Sequence, residues 1–258
     1  MTAESQPICF AGGTDKGMVR EQNEDSVLYC RFEHSDVCLM VVADGVGGHE
    51  GGAVASKFVI NSIKALVEKA VLLAHSGGGY AEDWLPSTLL HAIEEANNEL
   101  LLEQRKQPQY QNMATTVVAM LTNENSAVLG HLGDSRCYLY ANSKLTQLTE
   151  DHTVLQSLLN EGKISKKQFN DLPLHHMISK AIGLASEPEI SLRGFKIEQD
   201  SEYLLCSDGL TNSLSDEEIQ SVLSEYSDLS RSVDELITRA NDNGGEDNIS
   251  VVLLKHCT

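Results

Sequence analysis

Basic residues are scarce in this chain. Its 258 residues include 19 Lys and Arg against 38 Asp and Glu, a formal charge of −19. A field of that sign repels nucleic acid and anionic membrane surfaces, so neither is an expected partner. The six cysteines, Cys9, Cys30, Cys38, Cys137, Cys206 and Cys257, form no C-x-x-C pair, which argues against zinc and thioredoxin-like sites. None has an Arg after five intervening residues, so the phosphate cradle of a cysteine phosphatase is missing. A G-x-x-x-x-G-K-[ST] nucleotide loop and a G-x-S-x-G nucleophile elbow are absent too. The N-terminus, MTAESQPICF, has no basic stretch followed by a long apolar one, and no apolar run approaches a membrane span. The cytoplasm is therefore the expected compartment. No internal repeat, low-complexity tract or linker divides the chain.

What is present is ample apolar material, 41% of residues, enough for a sizeable core without staples. Short apolar runs predict strands at Pro7–Ala11, Ser26–Phe32, Val37–Ala43, Ala114–Leu121, Ala127–Leu132, Cys137–Tyr140, Ile190–Lys196, Glu202–Ser207 and Asn248–Leu254. Helical spacing predicts helices over Gly52–Ala74, Leu85–Gln107, Ser215–Ser224 and Ser232–Ala240. Strands come in groups with helices paired between them. That pattern argues against a doubly wound parallel sheet and for an α+β domain of mostly antiparallel sheets. One domain over 1–258 is expected, a monomer, with residues 151–182 forming a more polar, flap-like segment.

Acidic residues stand at the ends of the apolar runs. Asp44 follows VCLMVVA, Asp208 follows EYLLCS, Asp134 follows AVLGHLG, and Asp247 precedes NISVVLL. In antiparallel neighbours the end of one strand lies beside the start of the next, so four carboxylates are expected at one rim. Gathered carboxylates repel one another unless something positive sits among them. Oxygen ligands without an obligatory His or Cys suit hard cations, so Mg²⁺ or Mn²⁺ fits better than Zn²⁺. The glycines after Asp44 and Asp208 are expected to let the backbone turn sharply, which would free the Gly45 carbonyl to act as a ligand. A lone Asp-Gly is usually only a turn. The weight comes from four such acids together.

The chain also reads, in order, GGTDKGMVREQNEDS, ADGVGGHEGG, NMATTVVAM, GHLGDSRCYLY, LTEDHT, CSDGLTN and GGEDNISVVLL. This ordered set, from about Gly12 to Leu254, resembles the metal-dependent serine/threonine protein phosphatases of type 2C, particularly the compact bacterial members. The resemblance implies a sandwich of two antiparallel β-sheets flanked by helix pairs. It implies that Asp44 bridges two metals, that the Gly45 carbonyl binds one of them, and that Asp208 and Asp247 complete the binuclear site. Asp134 would reach a third, weaker metal. Arg20 would grip the substrate phosphate, and Asp25, with Glu24 as a neighbour candidate, would touch the metals through water. Two metals about 3.5–4 Å apart acidify a bridging water and aim it at phosphorus. A guanidinium supplies bidentate hydrogen bonds to phosphate oxygens. The implied substrate is a phosphoserine or phosphothreonine protein, a Ser/Thr kinase or its target. The alternative is a phosphatase-like module that binds a phosphorylated regulatory partner with weak turnover.

The histidines are less decisive. His49, in GGHEGG, is a candidate proton donor to the leaving alkoxide, or a loop anchor. In the animal enzymes the acid histidine directly follows the Asp-Gly pair, and here Val46 holds that place. His131 reads as a satisfied core residue and His152 as an anchor for the flap. His175 and His176 lie in the flap region. His34, His75, His91 and His256 have no motif around them.

Overall fold

The structure is a computed structural model, and it describes residues 8–46, 50–77, 80–81, 83–172, 174, 177–198 and 200–256. Two antiparallel sheets face each other. The first has the order β1 (Ile8–Asp15), β11 (Ile249–His256), β10 (Glu202–Cys206), β7 (Arg136–Ala141), β8 (Lys144–Gln147). The second has the order β2 (Asp25–Arg31), β3 (Cys38–Val46), β5 (Val117–Thr122), β6 (Ser126–Leu132), β9 (Ser191–Lys196), with the short β4 (Ala114–Thr115) also paired to β3.

The central strands are apolar on both faces because both faces are covered. On β3, Leu39, Val41 and Ala43 pack under α1 (Glu50–Gly77) and α2 (Trp84–Lys106). The alternate residues Cys38, Met40 and Val42 meet Tyr203, Leu205, Val252 and Leu254 of the opposite sheet. On β10 and β11, Leu204, Cys206, Val251 and Leu253 pack instead under α6 (Asp216–Glu225) and α7 (Leu229–Asp242). The two-residue side-chain period of a strand thus divides each continuous run between an outer helix layer and the inter-sheet core. The expected sandwich flanked by helix pairs is what forms.

The sequence-predicted strands and helices are found with ends shifted by a few residues. Neither β8 nor α5 (Asp208–Ser213) was expected. β8 has no apolar run; its side chains alternate between exposed and half-buried at the sheet edge. α5 is a six-residue helix where a turn was expected. Within 151–182 the chain forms α3 (Val154–Asn160), N-capped by Thr153, and α4 (Lys166–Asp171), started by a capping box of Ser165 and Gln168. Among the described residues, no helix is long and apolar enough to cross a membrane.

Candidate active site

The antiparallel register of β2 and β3 sets Asp25 directly opposite Asp44. Two carboxylates on facing positions of adjacent strands destabilise the pair unless a cation joins them. β10 runs out at Cys206, and Asp208 opens α5 two residues later. Asp247 stands two residues before β11, and Asp134 lies in the tight connection between β6 and β7. The sandwich therefore brings all five acids to one end.

Their protonation records that crowding. Burial raises the Asp44 carboxyl well above its usual range, and Asp25, Asp208, Asp134 and Asp247 each push further in the same direction. Asp25 is pushed up to about 7, first by burial and then by Asp208 and Asp247, against the pull of the Ser250 and Ser207 hydroxyls. Asp134 also rises to about 7, through burial and the charge of Asp208. Among the described residues, no Lys or Arg forms an ion pair with Asp25, Asp44 or Asp134.

The donor set fits a hard cation. Asp25 is only 7% exposed, and the Ser207 hydroxyl donates to its Oδ2 at 2.7 Å. Its Oδ1 is buried with no hydrogen-bond partner among the described residues. The Ser250 hydroxyl lies near but is engaged with Thr14 Oγ1 at 2.8 Å. Beside this pair, the Gly45 carbonyl and the Glu24 carboxylate both abut Gly52, where a Cβ would overlap them. That packing is a cradle of oxygens closed to any side chain. Among the described residues, however, no three ligating side chains stand close enough to form a finished coordination shell. The acids are gathered but not drawn together.

The role expected of the two glycines needs correcting. Neither Gly45 nor Gly209 has positive φ. Gly45 sits inside β3 and Gly209 in the first turn of α5. Side chains at these positions would strike the Gly52 and Asn248 carbonyls, respectively. Both glycines serve close approach rather than a sharp turn.

Arg20 reaches the same place from the loop after β1. Its Nη2 donates to Asp247 Oδ2 at 2.7 Å and its Nε to the Glu246 carbonyl at 3.4 Å. The guanidinium borders an open cavity of about 550 Å³ whose walls include Asp208, Asn212, Asn243, Glu246 and Asp247. A smaller adjoining cavity of about 130 Å³ reaches Asp134, Arg136, Asp151, Gln156 and Phe169, and shares Asp208. A further cavity of about 480 Å³ lies at the Arg31–Asp36 end of the β2–β3 hairpin, the opposite end of β2 from Asp25.

Residues 13–253 match the family model described as Protein phosphatase 2C. The chain belongs to the protein phosphatase 2C family. It is 37% identical over 244 residues to the serine/threonine phosphatase stp of Listeria monocytogenes, covering 94% of this chain and 93% of that one. It is 35% identical over 245 residues to the serine/threonine protein phosphatase PstP of Mycobacterium tuberculosis, covering 95% of this chain and 44% of that longer protein. The crystal structure of that mycobacterial enzyme superposes with a TM-score of 0.84 at 34% identity, over 97% of this chain and 99% of the solved one. A structure of the PstP catalytic domain in complex with two manganese ions superposes with a TM-score of 0.79 at 34% identity, over 97% and 99%. The protein is a metal-dependent serine/threonine protein phosphatase. The alternative of binding with weak turnover finds no support among these relatives.

Several residues that shape the phosphatase site lie within the quoted segments NMATTVVAM and GGEDNISVVLL, but the sequence assigned them no role. Thr115 Oγ1 donates to the Asp44 carbonyl at 2.8 Å, as does the Thr116 N–H, while the Asp44 N–H donates to Thr116 Oγ1 at 3.0 Å. Both backbone groups of Asp44 are thereby fixed. Asn248 Nδ2 donates to the carbonyls of Lys16 and Gln22 at 2.8 and 2.9 Å, and its Oδ1 accepts from the Glu24 N–H at 2.8 Å. One side chain ties down the whole loop that carries Arg20.

His131 is the satisfied core residue expected of it, buried and with Nε2 bonded to the Glu150 carbonyl at 3.0 Å, and His152 packs against it. Their rings stack with centroids 4.5 Å apart. His152 Nδ1 accepts from the Gly133 N–H, so Nε2 carries the proton and donates to Ser191 Oγ at 2.9 Å. Burial, then the neighbouring His131, lowers the His152 pKa to about 4 and keeps the ring neutral. Nearby, Arg136 is held by Asp151 through Nε at 2.9 Å and Nη2 at 2.7 Å. His49, His175 and His176 lie outside the described residues.

Proposed function

We propose that Asp44, the Gly45 carbonyl, Asp208 and Asp247 hold two divalent cations, Mn²⁺ or Mg²⁺, and that Arg20 binds the phosphate of a phosphoserine or phosphothreonine side chain beside them. Asp25 orders water against that pair through its unpartnered Oδ1, with Glu24 next to it. Asp134, whose carboxyl is raised by burial and by Asp208, provides a third, weaker site in the smaller cavity. Bound cations neutralise phosphate charge and acidify water. The rest of the task is positioning, and it falls to the chain's own residues. Arg20 is half exposed and can turn from Asp247 to a phosphate without leaving its loop. The Thr115–Thr116 pair keeps Asp44 from retreating along its strand.

The observation that carries this reading is the facing pair of a buried Asp25 and a half-buried Asp44, both raised in pKa and, among the described residues, in no ion pair with a Lys or Arg. His49 is the proposed proton donor to the leaving alkoxide. The substrate is a Ser/Thr kinase or its target, and the chain works as a single domain whose segment 151–182 is a flap at the site. The test is release of phosphate from a phosphothreonine peptide with Mn²⁺ present and after chelation, for the wild type and Asp208→Asn. Metal-dependent release that is lost in Asp208→Asn is expected. Wild-type turnover by Asp208→Asn at limiting Mn²⁺ would overturn the ligand assignment.

A further inference from the structure

Of the large apolar side chains recorded as exposed, Met18 and Val19 are the most exposed, at 70% and 65%, and they directly precede Arg20. Exposed apolar residues on a floppy loop would need no explanation. This loop is not floppy. The Gly17 N–H donates to Asp15 Oδ1 at 2.8 Å, and the N–H groups of Met18 and Val19 both point to the Gly245 carbonyl, at 2.8 and 3.3 Å. Asn248 holds the Lys16 carbonyl on one side and the Gln22 carbonyl on the other. Gly17 has φ +80, and a side chain there would strike the Asp247 carbonyl. The backbone is locked against the α7–β11 loop that carries Asp247 while two apolar side chains are held out in water. Such preorganisation favours a partner that covers them, because little ordering entropy is lost on contact.

We propose that Met18 and Val19 form a specificity surface that takes an apolar side chain of the substrate, one or two residues from the phosphoresidue. The inference rests on Arg20 as the phosphate-binding residue. The Met18 and Val19 N–H groups bond the Gly245 carbonyl, next to Glu246 and Asp247, which wall the cavity that Arg20 borders, so the pair stands at the margin of that cavity. An extended peptide advances about 3.3 Å per residue, which brings its first and second neighbours onto the pair. The occupant is therefore the phosphoprotein substrate itself. The surrounding charge narrows its chemistry further. Within the loop Asp15 and Glu21 are matched by Lys16 and Arg20, but the chain as a whole carries a charge of −19, so an acidic neighbour is disfavoured and an apolar one accepted.

The test measures a ratio within each enzyme, so that changes in overall turnover cancel. Two phosphothreonine peptides, identical except for Leu or Ser at the positions flanking the phosphoresidue, are compared by kcat/KM with saturating Mn²⁺. The wild type should prefer the Leu peptide about ten-fold, the low end of what an apolar contact discriminates. Met18→Ser/Val19→Ser should bring the ratio close to one, and a Glu peptide should be the poorest wild-type substrate. A wild-type ratio near one, or a double variant that keeps the preference, overturns the proposal. The Arg20 reading fails separately: Arg20→Ala would then leave the KM for para-nitrophenyl phosphate, which has no flanking residues, unchanged.

Discussion

Replacing Asn248 by Ala removes three side-chain hydrogen bonds at once, to the Lys16 and Gln22 carbonyls and from the Glu24 N–H. The side chain is 4% exposed, so water does not readily replace them. At roughly 1 kcal/mol net for each bond, the variant should lose about 3 kcal/mol of stability. For a chain of this size that lowers Tm by roughly 6–12 °C. The functional effect should exceed the thermal one. With its loop released, Arg20 no longer meets the phosphate in a fixed place, and kcat/KM for para-nitrophenyl phosphate should fall by about a hundred-fold, as for an ångström-scale misplacement. Asn248→Asp separates shape from hydrogen bonding. It keeps the acceptor for Glu24 but turns a charged oxygen toward two carbonyls and adds a carboxylate to a crowded acidic site, so it should be no better than Ala. The assays are thermal melts and steady-state kinetics at saturating Mn²⁺. If Asn248→Ala melts within about 2 °C of the wild type and keeps its kcat/KM, the clasp does not position Arg20.

Other consequences follow from neighbouring contacts. Arg20→Ala should raise KM for phosphosubstrates more than it lowers kcat, because it removes a phosphate contact made in the ground state. It should bind Mn²⁺ at least as tightly as the wild type, since Asp247 loses a competing cation; weaker Mn²⁺ binding in calorimetry would count against this. His152 has a folded pKa of about 4 against an ordinary 6.5, so the unfolded chain takes the proton first as pH falls. Its contribution is fully present above about pH 6.5 and is lost towards pH 4. Solvent that still reaches the ring screens the effect, so the loss should stay below the roughly 3 kcal/mol that the whole shift represents, measurable by urea denaturation of the metal-free protein. His152→Gln should show a shallower pH dependence over that window, and an unchanged slope would refute the assignment.

The strands and the acids were legible in the sequence for one physical reason. A strand covered on both faces must be apolar throughout, so Val37–Ala43 and Glu202–Cys206 stand out, and the acids that end them stand out against them. β8 was not legible, because an edge strand with one wet face needs no apolar run. α5 was hidden behind Asp-Gly, which reads as a turn. Ser207 occupies its N-cap position yet makes no cap bond, its hydroxyl being committed to Asp25. Asn248, Thr115 and Thr116 were missed for a related reason. They act by bonding backbone groups that are distant in sequence, and that partnership exists only once the sheets have formed.

The most direct test of the central claim is the number of Mn²⁺ ions bound per chain, measured by titration calorimetry, in the wild type and in Asp44→Asn. Two tight sites are predicted for the wild type. Asp44→Asn should lose tight binding at both, because Asp44 is the carboxylate that Asp25, Asp208, Asp134 and Asp247 all crowd. A folded Asp44→Asn that still binds two Mn²⁺ with wild-type affinity would contradict the account.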